Sequence, residues 1–190
     1  MDTDTERDQR LAQVLVEFAH TLGTHFSIQR ILDHLVHSII DILPVTGAGV
    51  MLMGERQALH FIAASDEKVM AIERLQNKLG EGPCLEAYRF GLPVAINELA
   101  VDTRFPQFSA GVRSAGMGAV FTFPLTLDDE RLGALDLYRD TPGALSDDEL
   151  RAAGVLADVA AAYLFNAQAR IDASATVARL NHHSLHDPLT

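Results

Sequence analysis

The sequence predicts an α+β domain: an antiparallel sheet, helices gathered on one face of it, and one long helix at its end. Apolar residues recur at helical spacing at both ends of the chain, and between them lie short segments whose period drops to two. Tight polar turns join two pairs of these segments, a connection that antiparallel neighbours allow and parallel ones do not.

Taken in order, Leu11, Val14, Leu15, Phe18 and Leu22 form one stripe, so residues 5 to 22 read as an amphipathic helix that Gly23 stops. A second helix starts at Ser27. Ile28, Ile31, Leu32, Leu35 and Ile39 make its first stripe, and Val36, Ile40 and Leu43 widen it, as packing on both a sheet and a helix requires; Pro44 ends it. Gly47–Met53 and Leu59–Ser65 then read as a hairpin across the polar stretch 54–57. Ser65 is placed to cap a helix over 66 to 78 that Gly80 closes, and Pro83 and Gly91 bracket a shorter one. Val94 and Ile96 mark a third strand. An irregular stretch follows, with a helical turn or two anchored by Phe105, Phe108 and Val112. Met117, Ala119, Phe121, Phe123, Leu125 and Leu127 alternate along the strongest strand, which turns at 128–131 into Leu132–Tyr138. Ser146 and Glu149 form a capping box for a last helix that meets no breaker until Pro188, about 40 residues on, longer than a globular core needs.

Composition narrows the function. Hydrophobic residues make up 48% of the 190 and charged ones 22%, enough for a full core. The net charge is -11, and no basic stripe is available to displace phosphate counterions, which argues against nucleic acid as a partner. The single cysteine, Cys84, excludes an intrachain disulfide and suits a reducing compartment, so a cytoplasmic location is expected. Residues 1–10 are charged rather than apolar, and no apolar run approaches the roughly 20 residues of a membrane span.

Two resemblances follow from particular segments. Leu79-Gly80-Glu81-Gly82-Pro83-Cys84-Leu85-Glu86-Ala87 looks like a glycine–proline turn common in bacterial GAF domains, relatives of the PAS sensory fold. Pro93–Asn97, the loop with Asp102 and Arg104, and the closing pair Phe121–Leu127 and Leu132–Tyr138 also match that pattern, so residues 25–165 resemble a GAF domain. Leu185-His186-Asp187-Pro188-Leu189-Thr190 is similar to the opening of a GGDEF diguanylate cyclase domain. The resulting division is an N-terminal dimerisation helix over 1–24, the GAF domain over 25–165, a signalling helix over 166–184 and the start of a GGDEF domain at 185–190. The second resemblance implies cyclic di-GMP made downstream from GTP with magnesium, and a phosphodiesterase domain of the EAL type often follows in such proteins. Ser184-Leu185-His186-Asp187 also resembles, more loosely, a histidine-kinase phospho-acceptor helix.

No catalytic constellation is present in the chain itself. Gly80-Glu81-Gly82 leads into Pro83, not into the glycine-lysine of a phosphate-binding loop. The methionine sulfoxide reductases that share the GAF fold use several cysteines, and this chain has one. Cys84 opens a short helix, where it is either a reactive thiol or a small packing residue. His34 with His37, and His182 with His186, have helical spacing but no further ligands for a metal; His60 is the least unsuitable single ligand for a haem. No metal or cofactor is expected.

The GAF resemblance implies a small-molecule site between the sheet and the segments that cross it. Carried onto this chain, its candidates are Phe61, Cys84, Phe105, Phe108, Met117, Phe121 and Asp136. The same residues would also serve as a filled core. Asp136 is the informative one, since an acid between Leu135 and Leu137 must face away from them, into a site or into solvent. The expected partner is a second copy, held through the terminal helices, whose apolar stripes a single domain cannot wholly cover.

Overall fold

The computed structural model describes the backbone of residues 3–21, 27–54 and 59–185, and the side chains of 5–20, 27–54 and 63–170. The chain runs α1 (Thr3–Thr21), α2 (Ile28–Ile42), β1 (Gly47–Met53), β2 (Leu59–Ala64), α3 (Glu67–Leu79), α4 (Pro83–Phe90), β3 (Val94–Ile96), α5 (Pro106–Ser114), β4 (Ala119–Leu127), β5 (Glu130–Arg139) and α6 (Asp147–Leu185). The strands form one antiparallel sheet in the order β2-β1-β5-β4-β3. β5 therefore lies at the centre, buried on both faces.

Helices cover both faces rather than the one expected. α1, α2 and α6 share a core with the odd-numbered residues of β4 and β5 and the even-numbered ones of β1: Phe121, Phe123, Leu125, Leu135, Leu137, Val50 and Leu52. The opposite face packs Met51, Val120, Ala134 and Tyr138 against α3, α4 and α5. An antiparallel sheet can leave one face wet, but here β1 and β5 are apolar or small on both, and each face demands a cover.

Several local expectations shift by a residue or two. Asp66, not Ser65, caps α3, accepting from the Val69 N–H at 2.8 Å, while Ser65 Oγ accepts from the Ala48 N–H. α5 is a nine-residue helix, slightly longer than the helical turn or two expected between Phe105 and Val112. The capping box at α6 forms in both directions, Ser146 N–H to Glu149 at 2.7 Å and Glu149 N–H to Ser146 Oγ at 3.3 Å. β4 begins at Ala119, so Met117 precedes the strand and joins the opposite core from Ala119 and Phe121.

Of the α1 stripe, Val14 and Phe18 are buried beneath α2 and α6, with Leu11 packed beside them, and Leu22 lies outside the described residues. In α6, Asp147–Arg170 is long and apolar enough by composition to cross a membrane, with mean hydropathy 1.2. Its alanine- and leucine-rich face is instead spent on the core, where Ala153, Leu156, Ala157, Ala160, Ala161 and Leu164 are buried. Burial stops there. Residues 168–170 are exposed and the helix continues to Leu185, which carries it roughly 25 Å beyond the core at 1.5 Å per residue.

Candidate functional site

The candidate site is built on β5. Cross-strand pairing sets Asp136 between Gly49 of β1 and Thr122 of β4, and paired residues share a face. Asp136 turns away from Leu135 and Leu137, as alternation requires, and the face it meets is fully buried rather than open to solvent.

Gly49 has no side chain, and that gap is occupied. Glu73 of α3 reaches over it, so closely that a Cβ on Gly49 would stand 2.2 Å from Glu73 Oε1. The same oxygen accepts a hydrogen bond from the Tyr138 hydroxyl at 2.9 Å. Thr122 Oγ1 donates to Asp136 Oδ1. Glu73 and Asp136 thus approach each other from helix and sheet, with Cys84 of α4 against Asp136.

One turn along α3, Gln76 accepts from the Cys84 N–H at 2.9 Å. This caps α4 from outside, because its own cap position is Gly82, at φ 142, which no side chain could occupy comfortably. Glu81 does the same for α5, accepting from the Gln107 and Phe108 N–H groups at 2.9 and 3.0 Å. The loop 80–82 therefore ties three helices together. Asp102 braces the other side, accepting from Phe105 N–H and Ser109 Oγ at 3.3 Å each and pairing with Arg104 at 2.9 Å.

Burial dominates the chemistry. Glu73, Gln76, Cys84, Asp136 and Tyr138 are each 0% exposed. Burial raises the Glu73 carboxyl well above its ordinary range, and the neighbouring Asp136 charge raises it further. Asp136 is pushed up by burial to about 6, against the opposing pull of the Thr122 hydrogen bond and of the neighbouring Cys84 and Glu73 groups. The Cys84 thiol is raised by burial and by both acids, which leaves it protonated; the reactive-thiol alternative loses its physical basis.

Of the expected site residues, Cys84, Phe105, Phe108, Met117 and Asp136 lie on this one face and are buried there. Phe121 does not join them. It faces α2 and α6 on the other side of the sheet, opposite Leu137. An unbulged β4–β5 hairpin would set Phe121 opposite Asp136, but the register slips by one residue between Leu125 and Thr126 and brings Thr122 there instead. The Phe61 side chain lies outside the described residues, as do those of His60, His182 and His186. His34 is paired with Glu17 at 3.1 Å and His37 contacts the Asp33 carbonyl at 2.6 Å. Among the described residues no group of three His, Cys, Asp or Glu is arranged for a metal.

Glu73, Gln76, Thr122 and Tyr138 were missed from sequence. For the first two a signal existed. Val69, Ile72, Glu73 and Gln76 occupy one helical stripe and are all buried, so a glutamate and a glutamine stand at core positions. Two open clefts, each about 300 Å³, lie elsewhere: one between α1 and α2 at Phe18, Ile31 and His34, the other beside Met117, rimmed by Glu98, Arg113 and Asp140. Neither is lined by Asp136.

A sheet covered on both faces, with buried polar groups under three short helices and a long helix leaving the other layer, defines a small sensory-type α+β domain. The chain belongs to the GAF domain family, whose model matches residues 25–164, and is accordingly a sensory, regulatory domain. Similar solved structures include a domain assigned to a two-component sensor histidine kinase of Sinorhizobium meliloti 1021, with TM-score 0.66, 17% identity, and coverage of 78% of this chain and 98% of that one. The GAF domain of an Acinetobacter phosphoenolpyruvate-protein phosphotransferase gives TM-score 0.63 and 15% identity over 85% and 97% of the two chains. The free methionine-R-sulfoxide reductase of Neisseria meningitidis, solved with its substrate, gives 0.65 and 14% over 90% and 95%. At these identities the likeness is one of fold. A search of curated proteins finds no matching relative.

Proposed function

We propose that this domain regulates a GGDEF domain in cyclic di-GMP signalling, with the covered face around Asp136 as its input and α6 as its output. The observation that carries this reading is α6 itself. Its first half is part of the core, in the layer of α1 and α2, and its second half is a continuous helix beyond it. A helix anchored in a core at one end converts a small change in packing there into a displacement at its far end. The resemblance of 185–190 to a cyclase opening supplies the output, although 186–190 lie outside the described residues. Diguanylate cyclase chemistry joins two GTP molecules, one on each of two partners, so the projecting half of α6 would pair with that of a second copy.

The input would be a small molecule bound on the α3–α4–α5 face, where Cys84, Phe105, Phe108 and Asp136 are gathered. A histidine-kinase output is the second reading, favoured by the fold likeness to the Sinorhizobium domain and by Ser184-Leu185-His186-Asp187. One experiment separates the two. The full-length protein, as its gene encodes it, is incubated with GTP and magnesium, or with ATP, and its products are chromatographed while light scattering gives its mass. Cyclic di-GMP from a dimer is expected, and residues 1–190 alone should leave GTP intact. Histidine phosphorylation without cyclic di-GMP would replace this reading with the second.

A further inference from the structure

Two carboxyl groups are buried side by side, with no buried cation among the described residues. The buried polar and charged side chains among the described residues are Ser38, Glu73, Gln76, Ser109, Thr122 and Asp136, with no lysine, arginine or histidine among them. Among the described residues, the groups that face the pair come from several elements. α3 supplies Glu73 itself and Gln76, α4 supplies Cys84, β4 supplies Thr122, β5 supplies Tyr138, and β1 presents only Gly49. Each of these partners is neutral or acidic.

The hydrogen bonds are incomplete in one particular way. Glu73 Oε1 accepts from Tyr138 and Asp136 Oδ1 accepts from Thr122, while Glu73 Oε2, Asp136 Oδ2 and the Gln76 Nε2 amide beside them are left without partners. Two ionised carboxylates can only accept, so this arrangement would leave both oxygens unsatisfied and two like charges unpaired in a dry interior. A single proton resolves both problems, because it turns one carboxyl into a donor to the other.

We propose that Glu73 and Asp136 share one proton, that this proton fastens α3 to the sheet across Gly49, and that its loss to solvent loosens α3. The proton lies between the two carboxyls, one donating to the other, while Asp136 Oδ1 keeps the hydrogen bond of Thr122 and Glu73 Oε1 that of Tyr138. The sign of the response follows. Both acids hold their protons more tightly when folded than when unfolded, so their contribution to stability is fully present below the ordinary carboxyl range and falls as pH rises from there through their folded values. The Asp136 share is lost by about 6, and Glu73, also raised well above its ordinary range, carries the loss above its own ordinary value. This is the reverse of an acid held by a salt bridge. The switch acts on the face proposed above as the input, and its signalling meaning rests on that reading; the proton itself does not.

The test uses residues 1–190 and Glu73→Gln, whose amide donates to Asp136 without a proton to lose. Melting temperature is followed from about pH 6 to about pH 9, and infrared difference spectra report protonated carboxyls. The wild type is expected to lose roughly 5 °C or more over that range relative to Glu73→Gln, and to show at neutral pH a protonated-carboxyl band that titrates away as stability falls. Equal pH slopes for the two proteins would overturn the proposal. If Glu73→Gln does not fold, the wild-type band decides alone: its absence at neutral pH overturns the shared proton. Failure of the cyclase assay with the band present would reject the output reading and leave the proton pair standing.

Discussion

Gly82→Ala should destabilise the domain by about 3–5 kcal/mol and lower its melting temperature by roughly 10 °C. Two effects combine. Gly82 sits at φ 142, where a side chain is strained, and a Cβ there would come within 2.1 Å of Gln76 Oε1. Gln76 would have to withdraw from the Cys84 N–H, and α4 would lose the cap that Gly82 cannot itself provide. Gly80→Ala is the control. Gly80 is also left-handed, at φ 65, but its Cβ would meet nothing within 4 Å. It should lose only about 1–2 kcal/mol, the usual penalty for a left-handed residue with a side chain. Thermal or urea denaturation of both variants measures the difference, and equal losses would show that the Gln76 cap contributes nothing.

Gly49→Ala is expected to cost about 3 kcal/mol, by forcing Glu73 off the space above the sheet and breaking its bond from Tyr138. The added methyl would stand 2.2 Å from Glu73 Oε1 and 2.9 Å from its Cδ. Glu73 cannot swing into solvent cheaply, because it is wholly enclosed. If this contact is the whole cause, Gly49→Ala in a Glu73→Ala background should be far milder. The double variant should then be about 2 kcal/mol more stable than the sum of the two single losses. Additive losses would mean that Gly49 is needed for its backbone and not for the glutamate above it.

The elements were legible because their signals are local. The stripe of α2, the alternation Ala119–Leu125, the Ser146–Glu149 box and the Pro83–Gly91 bracket each sit within a few residues of what they specify. The site was legible only in part, because its geometry is set between elements. Asp136 stood out as an acid in an apolar strand. Its partner on β4, Thr122, depends on a bulge between Leu125 and Thr126 that no local pattern announces, and Phe121, a candidate through the family resemblance, faces the other side of the sheet. Glu73 and Gln76 stand on the buried stripe of α3, but the space that admits them is provided by Gly49 and Gly82, distant in sequence or on the next helix's cap. The second layer of helices was unexpected for a related reason: tight hairpins fix strand order but do not say how many faces of the sheet are dry.

The role of α6 as output is tested most directly by changing its phase. In the full-length protein, four or seven residues of helix are inserted after residue 170, where the side chains have left the core, and cyclic di-GMP formation is measured. At 3.6 residues per turn, four residues rotate the distal helix by about 40° about its axis, whereas seven rotate it by only about 20° in the opposite sense. Output should change sharply with the four-residue insertion and return toward normal with seven. Equal output from the unmodified protein and both insertions would contradict transmission through α6.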